Sequence, residues 1–200
     1  AALLVALSEL HLRAGDREAA LARLQDAEEL QHQVGSPHWD DVGVACNRGE
    51  IATRSGDFDE AIRIANDTLG QDISAQGAAR LWSLAGIAHA SKGDFTQGFE
   101  ALERSLEHYV DLRDDVRINI ARGNLAEAAW RLDDVRLAAV HQASCLEGAI
   151  ALGQQVIVSY SFIMASRIAA SMNDLRTAVR LQALAETLLA NAGHAPYKDE

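Results

Sequence analysis

Seven histidines, two cysteines and several adjacent carboxylates are the side chains of this 200-residue sequence that could bind a metal or act as nucleophile, acid or base. The densest group is His32, His38, Asp40 and Asp41 around Trp39. Zinc would need further ligands in register, and no HExxH or paired Cys/His spacing supplies them, so a solvated polar loop wedged by Trp39 is expected. Cys46 and Cys145 have no CxxC partner, no adjacent His and no basic surround. They read as packing residues, with Cys46 a candidate for lining a groove. The pairs Asp40-Asp41, Asp114-Asp115 and Asp133-Asp134 stand where helices would start, which is cap chemistry rather than a carboxylate dyad. No phosphate-binding GxxxxGK[ST], no GxGxxG after a strand and no GxSxG elbow is present. The expectation is a non-enzymatic chain with no catalytic residues, no metal and no cofactor.

The charge balance narrows the partners. Eighteen basic against 29 acidic residues give a net charge of −11, the wrong sign for gripping a phosphate backbone. No apolar run approaches the length of a membrane span, and two isolated cysteines suit a reducing, cytoplasmic setting. Hydrophobic residues make up 48% and aromatic ones only 5%, with two prolines, Pro37 and Pro196, so an all-α chain is expected. Residues Ala1 to Leu12 carry neither an initiator Met nor a basic leader and read as a helix entered midway. The chain is therefore expected to be a piece of a longer protein.

Five segments repeat. Ala14-Gly15-Asp16, Ser55-Gly56-Asp57, Lys92-Gly93-Asp94, Leu132-Asp133-Asp134 and Met172-Asn173-Asp174 place an Asp at 16, 57, 94, 134 and 174, with spacings of 41, 37, 40 and 40. A fixed period near forty signals stacked supersecondary units. Eight residues before each Asp stand Ser8, Gly49, Gly86, Ala126 and Ser166. Four after stand Ala20, Ala61, Gly98, Ala138 and Ala178, and eleven after stand Ala27, Thr68, Ser105, Cys145 and Ala185. All fifteen are small in a chain where 70 of 200 residues are of these types. Apolar columns interleave: Leu10, Ile51, Ala88, Ala128 and Ile168 six before, and Leu21, Ile62, Phe99, Ala139 and Val179 five after.

Each unit reads as a helix that ends near the Gly/Asn-Asp and a second helix that starts from the Asp. Gly15, Gly56, Gly93 and Asn173 suit the left-handed residue that stops a helix. Asp133 at that place predicts a strained or differently shaped turn. The following Asp is a natural N-cap and suits the helix dipole. Gly35, Gly70, Gly153 and Gly193 are the expected stops of second helices. Small columns let paired helices approach closely, so stacking supplies the core. The hairpins fall at about 1–35, 37–70, 74–112, 114–153 and 154–193, with 194–200 a tail or linker.

Those columns, with Trp82 and the post-turn aromatics Phe58 and Phe95, resemble the tetratricopeptide repeat over essentially the whole chain. The repeat is near forty residues rather than thirty-four, and Arg48 stands where that family has a core leucine. Forty-residue versions look like the sensor regions of MalT/LuxR-type and AfsR-type bacterial ATPase transcriptional regulators. The closing segment, residues 179–193, is similar to the last helix of such arrays. The resemblance implies a right-handed α-α superhelix of five helical hairpins. It implies a binding module for a protein or peptide, or for a small-molecule effector, inside a transcription regulator, or else a stand-alone adaptor for an extended peptide. His11 and His89 occupy a column that often holds Tyr in that family, and are expected to be interior ring donors to backbone carbonyls.

In such arrays first helices line the concave groove. By that resemblance the inward columns hold Glu9, Arg13, Glu50, Arg54, Arg80, Glu127, Trp130, Arg131, Tyr160 and Arg167. Glu9, Glu50 and Glu127 are each followed at i+4 by Arg13, Arg54 and Arg131, an intrahelical ion-pair spacing that a charged peptide could also engage. Trp130 and Tyr160 are aromatic anchors of the type that dominate interfaces. Asn47 and Asn124 match the column of the carboxylate-clamp Asn in chaperone-binding members, but Val5 and Glu9 replace that clamp's first Lys and Asn, and only Arg80 mimics a later base. A chaperone-tail clamp is therefore not expected. Leu3, Leu4, Leu7 and Leu10 give the first helix an apolar face that another domain or another copy would cover, so self-association is open.

Overall fold

The computed structural model describes residues 2–34 and 41–191, and among them are ten α-helices and no strand. They are α1 Ala2–Arg13, α2 Arg17–Val34, α3 Asp41–Arg54, α4 Phe58–Leu69 and α5 Ala75–Lys92, followed by α6 Phe95–Asp111, α7 Asp115–Arg131, α8 Val135–Ala151, α9 Gln155–Ser171 and α10 Leu175–Asn191. The chain divides into two compact units, residues 1–94 and 95–200. In the first, α1 pairs with α2 and α3 with α4, α4 packs on α5, and α1, α3 and α5 also lie side by side. In the second, each helix packs on the next from α6 to α10, and α7 also lies beside α9. First helices touching across the intervening second helix is how stacked hairpins share a core.

The forty-residue period has a simple origin in the second unit. Helices begin at residues 95, 115, 135, 155 and 175, each 17 residues long, so the repeat is two equal halves of helix and turn. One turn recurs. Asp16, Asp57, Asp94, Asp134 and Asp174 each donate their backbone N–H to the carbonyl five residues back at 2.9–3.0 Å, the Schellman bond that closes the preceding helix. Asp16, Asp57, Asp134 and Asp174 then accept, through Oδ1, the N–H three residues ahead, and Asp114 does the same for α7. Each such cap is worth about 1 kcal/mol to its helix.

The left-handed position is taken by Gly15, Gly56, Gly93 and Asn173 as expected, and by Gly153 after α8. Of the two expectations for Asp133, the differently shaped turn is corrected: at φ 63° it adopts the same left-handed geometry with the same bonds, at a steric cost that a short polar side chain keeps small. Arg113 at φ 54° does likewise before Asp114, a turn that carries no glycine signal. Gly70 stops its helix as expected, with a different geometry. It ends α4 in right-handed geometry at φ −73°, leading into an extended Ser74 that caps α5, so no reversal of hand is needed there. Gly35 and Gly193, the cluster around His32, His38, Trp39, Asp40 and Asp41, the side chain of Arg13, and the tail all lie outside the described residues.

All fifteen small-column residues are buried. They sit where helices cross, and two glycines show how close the crossing is. A Cβ on Gly49 would run into the Leu84 side chain, and one on Gly148 would overlap the Asn119 amide. In the first unit the core gathers Val5, Leu12, Leu24, Val44 and Ile51. In the second, Ala126, Ala129 and Ala138 meet Met164 and Ile168, while Ile163 packs on Ala185 and Leu189. Of the interleaved apolar columns, Leu10 and Val179 are instead exposed, at 60% and 70%. They lie on α1 and on α10, which among the described residues packs on α9 alone.

Candidate functional site

The site is built on one face of the second unit. The Asp114 cap starts α7, and four-residue spacing then carries Asn119, Gly123 and Glu127 along one side of it. Tyr160, Met164 and Arg167 follow the corresponding stripe of α9, which lies beside α7. Between them opens a cavity of about 270 Å³ whose floor comes from α8, through Gln142 and Cys145. Ile120, Asn124 and Glu127 line it from α7, and Ile157, Tyr160, Ser161, Ile163, Met164 and Arg167 from α9.

At its rim the charged groups cluster around one aromatic ring. Glu127 Oε1 lies 3.6 Å from Arg131 Nη2 and 3.8 Å from Arg167 Nη1. The Arg131 and Arg167 guanidiniums lie 5.3 and 5.7 Å from the Trp130 ring centroid, and Arg131 is also 5.9 Å from that of Phe95. Both are within cation–π range. Trp130 Nε1 donates to Ser171 Oγ at 2.8 Å, which fixes the indole across α7 and α9. The result is a half-exposed strip of alternating charge and aromatic surface beside an apolar recess.

Below the rim the polar groups are neutral. Asn119, 3% exposed, donates Nδ2 to Gln154 Oε1 at 2.9 Å in the α8–α9 turn. Cys145 Sγ sits 3.4 Å from Ser161 Oγ. Burial pushes the Cys145 thiol up, against the smaller opposing effects of the Ser161 hydroxyl, Arg122 and the Gly123 backbone. It stays a protonated thiol at neutral pH, without the thiolate a nucleophile needs. Burial and nearby Arg122 hold the His141 imidazole, edge-on to Phe99 at 6.0 Å, below its ordinary range. Among the described residues no three His, Cys, Asp or Glu side chains converge to hold a metal, and no helix is long and apolar enough to cross a membrane.

The structure brings together Asn124, Glu127, Trp130, Arg131, Tyr160 and Arg167 of the residues singled out in the sequence. Arg167 reaching Glu127 from the next first helix, and Gln142 reaching the face from a second helix, were not among the expectations for those residues. The small residues Gly123 and Ser161, which line the cavity beside Gln142 and Cys145, were the available signal. The remaining candidates belong to the first unit. Glu50 and Arg54 sit 3.5 Å apart, and Arg54 Nη1 also donates to the Leu12 carbonyl at 2.6 Å, tying α3 to the end of α1. Asn47 is buried and donates to the Val5 carbonyl at 3.0 Å, so its amide serves helix packing. Glu9 and Arg80 are half-buried on α1 and α5. Cys46 is buried on α3.

One further expectation is corrected here. His11 and His89 do not act as interior donors to backbone carbonyls. Their Nδ1 atoms lie 3.8 and 3.6 Å from the carboxylates of Asp16 and Asp94, because the Schellman turn folds that Asp back over the ring five residues earlier. Arg48, at the usual leucine column, turns outward from α3 to pair with Glu28 of α2 at 2.6 Å.

No family model matches this sequence, and no curated protein matches it. Solved structures do. RapI in its apo form superposes with a TM-score of 0.78 at 12% identity, over 96% of this chain and 70% of that one. BtubC from P. vanneervenii gives 0.75 at 17% identity, over 98% and 83%. A STAND signal-transduction ATPase with a tetratricopeptide repeat sensor, from Pyrococcus horikoshii, gives 0.77 at 11% identity, over 94% of this chain and 29% of that one. Likeness at these identities establishes architecture, and the architecture of this chain is an all-α, tetratricopeptide-like solenoid of helical hairpins.

Proposed function

We propose that this chain is a non-enzymatic protein- or peptide-binding array and that its binding face is the α7/α9 strip with the cavity beneath it. The observation that carries the reading is the Trp130 indole held between α7 and α9, with Arg131, Arg167 and Glu127 around it and the exposed Tyr160 beyond. Aromatic and Arg anchors beside a recess are the composition of interface hot spots. The finer reading is that the array is the sensor region of a larger bacterial transcriptional regulator, in which occupancy of this face would set the activity of domains elsewhere. The forty-residue repeats and the likeness to a STAND protein's repeat sensor support it.

An immobilised library of twelve-residue peptides probed with the purified chain tests the binding reading. Captured peptides should share one motif, and Trp130→Ala or Glu127→Lys should lose them while the helical spectrum is unchanged. Capture indifferent to both substitutions would refute this face. The flanking coding sequence tests the finer reading: an ATPase module or a helix-turn-helix supports a regulator, whereas repeats alone make the chain a stand-alone adaptor.

A further inference from the structure

We propose that the cavity between α7 and α9 is a site for a free apolar α-amino acid, held with its side chain in the recess, its carboxylate on Arg167 and its ammonium on Glu127. The inference goes beyond the peptide reading, because it needs only the recess and the charges at its mouth. The charged side chains lining the cavity are one acid and one base, Glu127 and Arg167, whose nearest atoms lie 3.8 Å apart. Ile157, Ile163 and Met164 line the same recess. A zwitterionic head carries two opposite charges at a similar separation, joined directly to its side chain. Laid antiparallel over the Glu127–Arg167 pair, it adds two ion pairs without parting the existing one, and its apolar body enters the recess.

The mouth is set up for such a head. Glu127 Oε1 reaches Arg131 Nη2 at 3.6 Å and Arg167 Nη1 at 3.8 Å, distances of ion pairs rather than hydrogen bonds, so two guanidiniums share one carboxylate. The Arg167 side chain is only 22% exposed, and its guanidinium lies against the Trp130 ring that the Ser171 bond fixes. A cation positioned and partly desolvated in this way pairs with a carboxylate more strongly than one free in water. Arg131 makes the cluster positive by one charge, which favours entry of a carboxylate into a chain of net charge −11. The volume of about 270 Å³ stands just below the roughly 300–1,000 Å³ of pockets for drug-sized ligands, so it suits about ten non-hydrogen atoms, the size of leucine, methionine or phenylalanine. The backbone of an internal peptide residue brings neither charge, and a chain terminus brings one. A free amino acid brings both beside an apolar body.

The Trp130 indole N–H signal of the ¹⁵N-labelled chain, identified by its loss in Trp130→Phe, reports on the mouth while L-leucine, L-methionine and L-phenylalanine are titrated in turn. A saturable shift is expected. Leucinamide, which lacks the carboxylate, and N-acetyl-leucine, which lacks the ammonium, should each bind weaker by about tenfold or more, the scale of one charge-assisted hydrogen bond. Glycine should be weaker by about as much, because it buries no side chain. Arg167→Met should erase the preference for leucine over leucinamide, and Glu127→Gln the preference over N-acetyl-leucine, with circular dichroism showing each variant folded. If either variant unfolds, the preferences of the parent chain decide. No saturable shift with any of these amino acids, leucinamide or N-acetyl-leucine binding as tightly as leucine, or preferences that survive in the folded variants would each overturn the proposal. Peptide capture without a leucine shift keeps the binding face and removes this site. A leucine shift with no peptide captured keeps this site and removes the peptide reading.

Discussion

Gly148 sits inside α8, where alanine would ordinarily be favoured by about 1 kcal/mol. Its missing Cβ is where Asn119 lies: a methyl there would overlap the carboxamide, with Cγ only 2.8 Å away. Asn119 is 3% exposed and cannot swing into solvent, so Gly148→Ala must either push α7 from α8 or break the bond to Gln154. Either route costs about 1–3 kcal/mol, and the overlap here is deep enough for the upper end of that range. Set against the propensity gain, the net loss is about 2 kcal/mol. For a cooperative unit of roughly one hundred residues that lowers Tm by about 8–16 °C. Thermal and urea melts followed by circular dichroism measure it. In an Asn119→Ala background the same substitution should become neutral or stabilising by up to about 1 kcal/mol, because the obstacle has gone and the propensity remains. A Gly148→Ala chain as stable as the parent, or a penalty unchanged by Asn119→Ala, would refute the α7–α8 packing described above.

Asp133→Gly should stabilise the chain by about 0.5 kcal/mol in a urea melt, since glycine takes the φ 63° geometry without steric cost. Burial holds the His141 imidazole below its ordinary 6.5, so the unfolded chain takes up a proton that the folded chain refuses. Its stabilising contribution is present above pH 6.5 and is lost as pH falls below that value through the folded-state value; His141→Asn should flatten stability between pH 7 and pH 5. Cys46 and Cys145 are both buried, and burial raises the Cys145 thiol, so a disulfide reagent at pH 7.5 should label neither in the folded chain and both in urea.

The turns and the crossings were legible in the sequence because they are local chemistry repeated at a fixed period. An Asp that caps the next helix needs only its own neighbours, so Asp16, Asp57, Asp134 and Asp174 could be recognised at once. Small columns stay small because a helix crossing admits nothing larger, and all fifteen are buried. Arg113 escaped notice because its left-handed turn is imposed by the bonds of Tyr109, Val110 and Asp114 rather than by a glycine. The Glu127–Arg131 pair was visible as an i, i+4 spacing, since both partners ride one helix.

The candidate site was decided by tertiary structure. Arg167 comes to Glu127 from forty residues away, and Ser171 to the Trp130 indole from 41, only because α7 and α9 lie side by side with α8 behind them. Asn47 shows the converse: a residue placed in the right column for ligand contact spends its amide on the Val5 carbonyl, because α1 is close enough to take it. Gln142 lies on a second helix that the repeat pattern assigns to packing, and no spacing marks it. It lines the cavity together with Gly123 and Ser161. Period and capping depend on residues a few positions apart, so sequence determines them; which side chains share a recess depends on how closely three helices approach, and that is a property of their packing.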